Sequence, residues 1–398
     1  MNVAEIAQQL VSIPSVNPGS MAAAPDALHP DGGGEAALAL WIEQFLRKIG
    51  ARTHTWEPLP GRPCVTGWFD FGASETLIFD AHLDTVPVEG MTVEPFAGTI
   101  KNGRLYGRGA CDIKGPAASL LYALSEIARE FFSAPPGDSQ RRPRFNALYA
   151  AVCDEESGFS GVQSFSRLIT PIWPPNLAGI VVVEPTLLNP IYAHKGVVRW
   201  EIATRGKAGH SSAPQSGINA IYAMGRVVQR LEDYARQLLE RPAHQALGVP
   251  TLSVGTIHGG SAVNIIPDHC AIQVDRRLVP GETPEEALQQ VRELFAAELA
   301  AGHLEITSTL VAAPPMEGQP NSRLVQLTLD AARSAGHQTP QAQVASYCTD
   351  ASFYGAAPCD CVVFGPGSIE QAHTKDEYIA LEHLEAGVSA YRSLIIGG

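Results

Sequence analysis

The 398-residue sequence predicts an α/β fold: a mainly parallel sheet with helices on both faces, plus a smaller α+β unit inserted into it. Three observations predict this. Continuous apolar runs at Thr76–Ala81, Phe145–Val152 and Gly179–Val183 have the length and composition of strands buried on both faces. Helical patterns separate the strand-like runs, as in layered α/β domains. Between about Lys195 and Leu310 the order changes to strand–helix–strand–strand–helix–strand.

In chain order, Val3–Ser12 reads as an amphipathic helix that Pro14 and the following Pro18-Gly19 end. The Gly/Ala/Pro-rich stretch to Gly34 reads as a loop, and Glu35–Ile49 as a second helix stopped by Gly50. Thr53–Glu57 and Cys64–Phe69 read as strands. Thr76–Ala81 is the first clear buried strand, with His82-Leu83-Asp84 directly after it. The two-residue period places His82 and Asp84 on one side of an extended segment, which suits a histidine ligand oriented by a carboxylate. Gly107–Pro116 is a glycine-punctuated loop feeding a helix over 117–132. Asp112 stands just before that helix, where an ordinary capping role also fits. The spacing of a phosphate-binding loop, with its terminal Lys-Ser/Thr, is missing. Phe131–Arg144 reads as a surface loop. The strand Phe145–Val152 then runs into Cys153-Asp154-Glu155-Glu156, and Gly179–Val183 runs into Glu184. Near the end, Cys361–Phe364 opens into Gly365-Pro366-Gly367-Ser368, with His373 in the loop beyond.

The inserted unit reads as strands Val197–Thr204, Thr251–His258, Cys270–Arg276 and Leu304–Val311, with helices Pro214–Leu239 and Thr283–Leu299. The expected division is 1–194 and 312–398 for the larger domain and 195–311 for the inserted one.

Composition narrows the function classes. The net charge is -13 with no long basic run, which argues against nucleic acid as a partner. No stretch reaches the ~20 apolar residues of a membrane span, and the N-terminus reads as a helix, not a signal peptide. Seven cysteines without a CxxC pair suit a reducing cytoplasm better than a disulfide framework.

Strands of a parallel sheet present ligands at their carboxyl ends. His82, Asp112, Glu155, Glu156, Glu184 and His373 all fall at or just past such ends, whereas unrelated solvated turns would scatter. Imidazoles and carboxylates without cysteine ligands suit borderline divalent metals such as zinc. Two ions sharing a bridging acid, with one carboxylate left as general base, would hydrolyse an amide or ester.

The sequence resembles the di-zinc amidohydrolases that include acetylornithine deacetylase, succinyl-diaminopimelate desuccinylase and the glutamate carboxypeptidases. The resemblance spans almost the whole chain. It rests on His82–Pro87, Gly107–Gly115, Asp154-Glu155-Glu156, Glu184-Pro185-Thr186, Gly209-His210-Ser211-Ser212 and His373. It implies two zinc ions, with cobalt able to substitute. Asp112 would bridge them, His82 and Glu184 would complete one site, and Glu156 and His373 the other. Glu155 would be the general base and Asp84 would orient His82. The inserted unit would be a lid that carries a homodimer interface, with His210 reaching a neighbouring active site to stabilise the oxyanion.

The resemblance further implies substrate contacts by Asn264 and by Arg277, with Arg276 as the adjacent alternative for a substrate carboxylate. Gly367 and Ser368 would line the pocket, with Thr349 and Lys195 close to the substrate. The likeness is greatest to the acetylornithine deacetylases, through Ala193–Gly196, Ile257–Gly260, Tyr347–Ala351 and Gly365–His373. Where the desuccinylases carry an arginine two residues after the position of Asp350, this chain has Ser352. The expected substrate is therefore an N-acyl amino acid, N-acetyl-L-ornithine first. A desuccinylase, another N-acyl amino acid hydrolase, a dipeptidase or carboxypeptidase, and a non-catalytic binding protein are the alternatives.

Overall fold

The computed structural model describes residues 1–20, 34–133, 142–169, 176–307 and 309–397. Most of the expected loop before Gly34 and much of Phe131–Arg144 lie outside the described residues. The chain forms two compact units. The first comprises Met1–Tyr192, Gly318–Gln343 and Thr349–Gly398, and the second Ala193–Glu317 with Val344–Cys348.

The first unit is built on a large mixed sheet. Its centre is four parallel strands in the order Phe145–Val152, Glu75–His82, Leu177–Val182 and Cys361–Val363. Antiparallel strands Arg62–Phe69 and Arg52–Leu59 extend one side. Strand Glu75–His82 shows why its sequence is almost uninterruptedly apolar. Leu77, Phe79 and Ala81 join the main core with helices Val3–Ser12, Lys114–Ser133 and Leu381–Ile396. The alternate residue Asp80 faces the other way and accepts a 2.5 Å hydrogen bond from the Tyr354 hydroxyl. With both faces covered, alternation of polar and apolar residues would be destabilising.

The helix before this unit's sheet starts where its cap dictates: the Asn2 side chain and Glu5 form a reciprocal capping box. The helix after Asp112 begins at Lys114, three residues earlier than its sequence suggests, and buries Gly115 and Pro116 in its first turn. Helices Glu35–Lys48, Ser160–Ile169 and Arg323–Ser334 complete the unit's described α-helices.

In the second unit an antiparallel sheet runs Thr251–Gly259, His269–Leu278, Gly196–Arg205, Leu304–Ile306. Trp200, Ile202, Met224, Leu231, Ile272 and Phe295 lie in its core. The long helix starts at Ala220, because Asn219 caps it and Pro214–Ser216 forms a separate 3-10 turn. The second helix breaks at Phe295 into Pro284–Leu294 and Ala296–Ala300. The compact unit runs to Glu317, past the expected end at 311, and Val311–Ala313 pairs with Val197–Arg199 inside it. Residues 344–348 join it through a bond from Lys195 N to the Ala345 carbonyl, 3.1 Å.

Candidate metal centre and active site

His82 is the last residue of its strand and is 5% exposed. Its Nδ1 lies 2.9 Å from the Asp84 backbone carbonyl, so Nδ1–H donates there and the Nε2 lone pair turns inward. The sequence assigned this orienting role to the Asp84 carboxylate, which stands further off, at 3.8 Å. Nε2 lies 3.0 Å from Asp112 Oδ1 and 3.8 Å from Glu184 Oε1. At the opposite side His373 Nε2 lies 3.4 Å from Asp112 Oδ2 and 3.2 Å from Glu156 Oε1. Asp112 thus presents one oxygen to each histidine.

The acidic run after Phe145–Val152 divides its three carboxylates. Asp154, at φ +71°, turns away and meets Arg62 Nη1 at 2.9 Å. Arg62 also pairs with buried Glu35 through two 2.6 Å bonds. The backbone N–H groups of Glu155 and Glu156 both donate to the Asp84 carboxylate at 3.0 Å, and Asn17 Nδ2 donates to it at 2.7 Å. The Asp84 carboxylate therefore sets the turn that carries Glu155 and Glu156.

Three groups of side chains bring ligand atoms within 4.8 Å of one another: His82–Asp112–Glu184, Asp112–Glu156–His373 and His82–Glu155–Glu156. Nitrogen and oxygen donors in two groups of three, joined by a shared Asp, fit two borderline divalent cations. The charge balance fits as well. Asp112, Glu155, Glu156 and Glu184 are four carboxylates in one buried cluster, and two divalent cations would neutralise them.

The electrostatics express that crowding. Burial raises the pKa of Glu184 well above the carboxylate range, and the Asp112 charge adds to this. Burial does the same for Glu155, with His82 opposing and Glu156 reinforcing. Burial also resists ionisation of Asp112, yet the bonds to His373 and His82 hold its pKa below the usual value. His373 is pushed up to about 11 by its bonds to Asp112 and Glu156.

Gly365–Ser368 packs against Glu184 and Cys111. Gly367 has φ +90°, and a Cβ there would lie 2.8 Å from Cys111 Sγ, so only glycine fits. The Ser368 carbonyl accepts from the Cys111 thiol at 3.3 Å. Thr349 is 1% exposed, and its hydroxyl caps the turn Asp350–Tyr354.

The remaining expected residues belong to the second unit. His210 is exposed, with Nδ1 2.6 Å from the Ser212 hydroxyl. The ladder Gly209–His210 with Ile265–Ile266, and a 3.1 Å bond from Ser211 N to the Asn264 carbonyl, set Asn264 beside it. At one end of the central strand pair stand Lys195 and Arg277. Lys195 Nζ donates to the Val249 carbonyl at 2.7 Å, and Arg277 Nε to Asp275 at 2.8 Å. The two adjacent arginines differ in burial. Arg276 is fully buried and tied to Glu282 at 2.7 Å, whereas the Arg277 side chain is 26% exposed.

Two residues that organise the site were not singled out in the sequence. Asn17 sits in the loop after the first helix, where its proline neighbours mark only a helix stop. Glu377, four residues after His373, accepts four hydrogen bonds from the Asp112 loop. The signal available was an acid at the start of a strand, which alone is unspecific.

The sequence model of peptidase family M20/M25/M40 matches residues 78–397. Among solved structures, an M20 family metallo-carboxypeptidase, Sso-CP2 from Sulfolobus solfataricus, aligns with TM-score 0.80 at 18% identity, over 99% of this chain and 98% of its own. The di-peptidase Dug1p from Saccharomyces cerevisiae aligns with TM-score 0.77 at 15% identity, covering 98% and 95%. The YXEP protein of Bacillus subtilis, a dinuclear metal binding peptidase from the M20 family, aligns with TM-score 0.64 at 16% identity, covering 98% and 96%. At these identities the likeness is one of fold.

Proposed function

This chain belongs to peptidase family M20/M25/M40, and from that premise we propose that it hydrolyses the amide bond of an N-acyl amino acid, N-acetyl-L-ornithine first. The observation that carries the hydrolytic reading is Asp112, whose two oxygens face His82 and His373 while Glu184 and Glu156 close the two groups. In this reading His82, Asp112 and Glu184 would hold one divalent ion and Asp112, Glu156 and His373 the other. Zinc suits the donors, and cobalt would replace it. When bound, such ions polarise an amide carbonyl and acidify water.

The chain's own residues supply the rest. Glu155 accepts a proton from the attacking water as oxygen adds to the carbonyl carbon. It returns that proton to the amine nitrogen as the C–N bond breaks, giving acetate and the free amino acid. The Asp84 carboxylate fixes the backbone of Glu155, and burial raises the pKa of the Glu155 side chain. Arg277 and Lys195, two cations at one strand end, suit the substrate carboxylate, Arg277 as a planar fork. Asn264, Thr349, Gly367 and Ser368 would shape the pocket.

We also propose a homodimer formed through the second unit, with His210 serving the oxyanion in the partner copy. Edge strand Thr251–Gly259 is largely exposed; Ile257 on it is 55% exposed, Val263 follows it in the open, and Tyr222 on helix Ala220–Leu239 is 71% exposed. A reducing cytoplasm suits the seven free thiols.

A peptide amide is the second reading, favoured by the carboxypeptidase and dipeptidase among the similar folds. A succinyl substrate is disfavoured by Ser352. The test is hydrolysis by zinc- or cobalt-loaded protein of N-acetyl-L-ornithine beside N-succinyl-diaminopimelate, N-acetyl-methionine and a dipeptide panel. Preference for acetylornithine is the expected result. Turnover of dipeptides alone would replace that substrate with the second reading, and silence across the panel with metal bound would overturn the hydrolytic assignment.

A further inference from the structure

We infer that Glu377 is a positioning residue that sets Asp112 for metal binding, an inference that rests on Asp112 being a ligand as proposed above. Glu377 is fully buried, at the start of strand Tyr378–Ala380, which pairs with Arg104–Tyr106. The loop after Arg104–Tyr106 wraps around its carboxylate. One oxygen, Oε1, accepts from Cys111 N at 2.8 Å and Asp112 N at 3.0 Å. The other, Oε2, accepts from Arg108 Nη1 at 2.7 Å and Gly109 N at 3.1 Å. The return bond, from Gly107 N to the Glu377 carbonyl, is 3.1 Å.

Four donors on two oxygens leave the loop little freedom. Such convergence of backbone N–H groups is the geometry that cradles anions elsewhere, and here the anion belongs to the chain itself. The consequence falls on Asp112. Its backbone N–H is anchored to Glu377 while its carboxylate faces His82 and His373. His373 lies four residues before Glu377, so one C-terminal segment carries both a ligand and the brace for the bridging ligand. A ligand pair separated widely in sequence is thereby held in register by a contact that touches neither ion. The group at Asp112, Glu156 and His373 depends on that segment twice, through His373 and through the bracing of Asp112. The group at His82, Asp112 and Glu184 depends on it once.

The experiment is a zinc titration by calorimetry, with the visible absorption of the cobalt-loaded protein as a second readout of coordination. Wild type is compared with Glu377→Gln, in which one oxygen becomes an amide that cannot accept. The double variant Arg108→Met with Glu377→Gln also removes the buried charge that the single change leaves unpaired. The expected result is two zinc equivalents in wild type, and in both variants a tenfold or greater weakening at one equivalent with a changed cobalt spectrum. Two equivalents with affinities within threefold of wild type, in either variant that folds, would overturn the inference even if the melting temperature fell. A fall in stability alone is what a purely structural role predicts. If wild type itself binds no zinc, it is the metal reading of Asp112 that fails, and the inference about Glu377 falls with it.

Discussion

The acidic centre of the first unit and the polar surface of the second are built in opposite ways. In the first, the side chains that place the ligands are themselves buried and tied. Asp84 holds the Glu155–Glu156 turn, Glu377 holds the Asp112 loop, and Arg62 draws Asp154 and Glu35 aside. In the second, His210 and Asn264 are exposed, and Arg277 is only part-buried. The contrast separates two tasks. A cluster of like charges is stable only where every position is fixed by hydrogen bonds and met by a counter-charge. Residues proposed to meet a substrate, such as His210 and Asn264, instead stay exposed and can exchange water for ligand.

The sharpest way to break this comparison is at Glu155. Glu155→Gln keeps the side chain's size and its backbone bond to Asp84. Turnover is expected to fall by ~10²–10⁴-fold, the usual contribution of a general base, with zinc content unchanged. Measured kcat near wild type would remove Glu155 from that role. Loss of zinc together with activity would make it a ligand, in line with the His82–Glu155–Glu156 grouping.

An intermediate effect is expected in the second unit. Arg277→Ala removes a charge-assisted hydrogen-bonding fork worth ~1.5–3 kcal/mol to a carboxylate. KM should rise by ~10–100-fold for substrates with a free carboxylate, while thermal stability changes little because the side chain is part-exposed. If stability falls and KM does not move, Arg277 belongs with the fixed scaffold, like Arg276.

The smallest effect sharpens the comparison through pH. His194 is fully buried, and burial lowers its pKa from 6.5 to about 4. The unfolded chain therefore takes up a proton before the folded one as pH falls. His194 costs nothing above pH ~6.5, and stability drains as pH falls from there toward 4. At pH 5.5 the loss from this residue is ~1 kcal/mol, at ~1.4 kcal/mol per pH unit. A His194→Gln variant should show a shallower decline of melting temperature between pH 7 and 5 than wild type. Parallel curves would show that His194 does not titrate in this range.

Much of the fold was legible because its logic is local. Runs such as Thr76–Ala81 announce two-sided burial by composition, and the acids and His82 follow them directly in sequence. The residues of the candidate metal groups were readable for the same reason, helped by motifs that keep neighbours together. What stayed hidden is what depends on partners far along the chain. Asn17 meets Asp84 across 67 residues, and Arg62 meets Asp154 across 92. Nothing adjacent to Asn17 or Glu377 marks either as a brace, since a single amide or acid in a loop is ordinary. The end of the second unit was misplaced for a related cause. Short strands Val311–Ala313 and Met316–Glu317 carry too little pattern to be seen before their pairing is known.

The long separation between Glu156 and His373, 217 residues, also has a bearing on biogenesis. A chain made from its N-terminus exposes His82, Asp112, Glu155, Glu156 and Glu184 well before His373 exists. All residues of the second unit are made in that interval. Closing so long a loop carries an entropic cost that grows slowly with length and is met only once His373 has been made. Before His373 is made, the residues of the His82–Asp112–Glu184 group are present but the Asp112–Glu156–His373 group is not. In the proposed two-ion reading the Asp112–Glu156–His373 group can form only after His373 is made, so a product that stops before His373 carries the acids without that group.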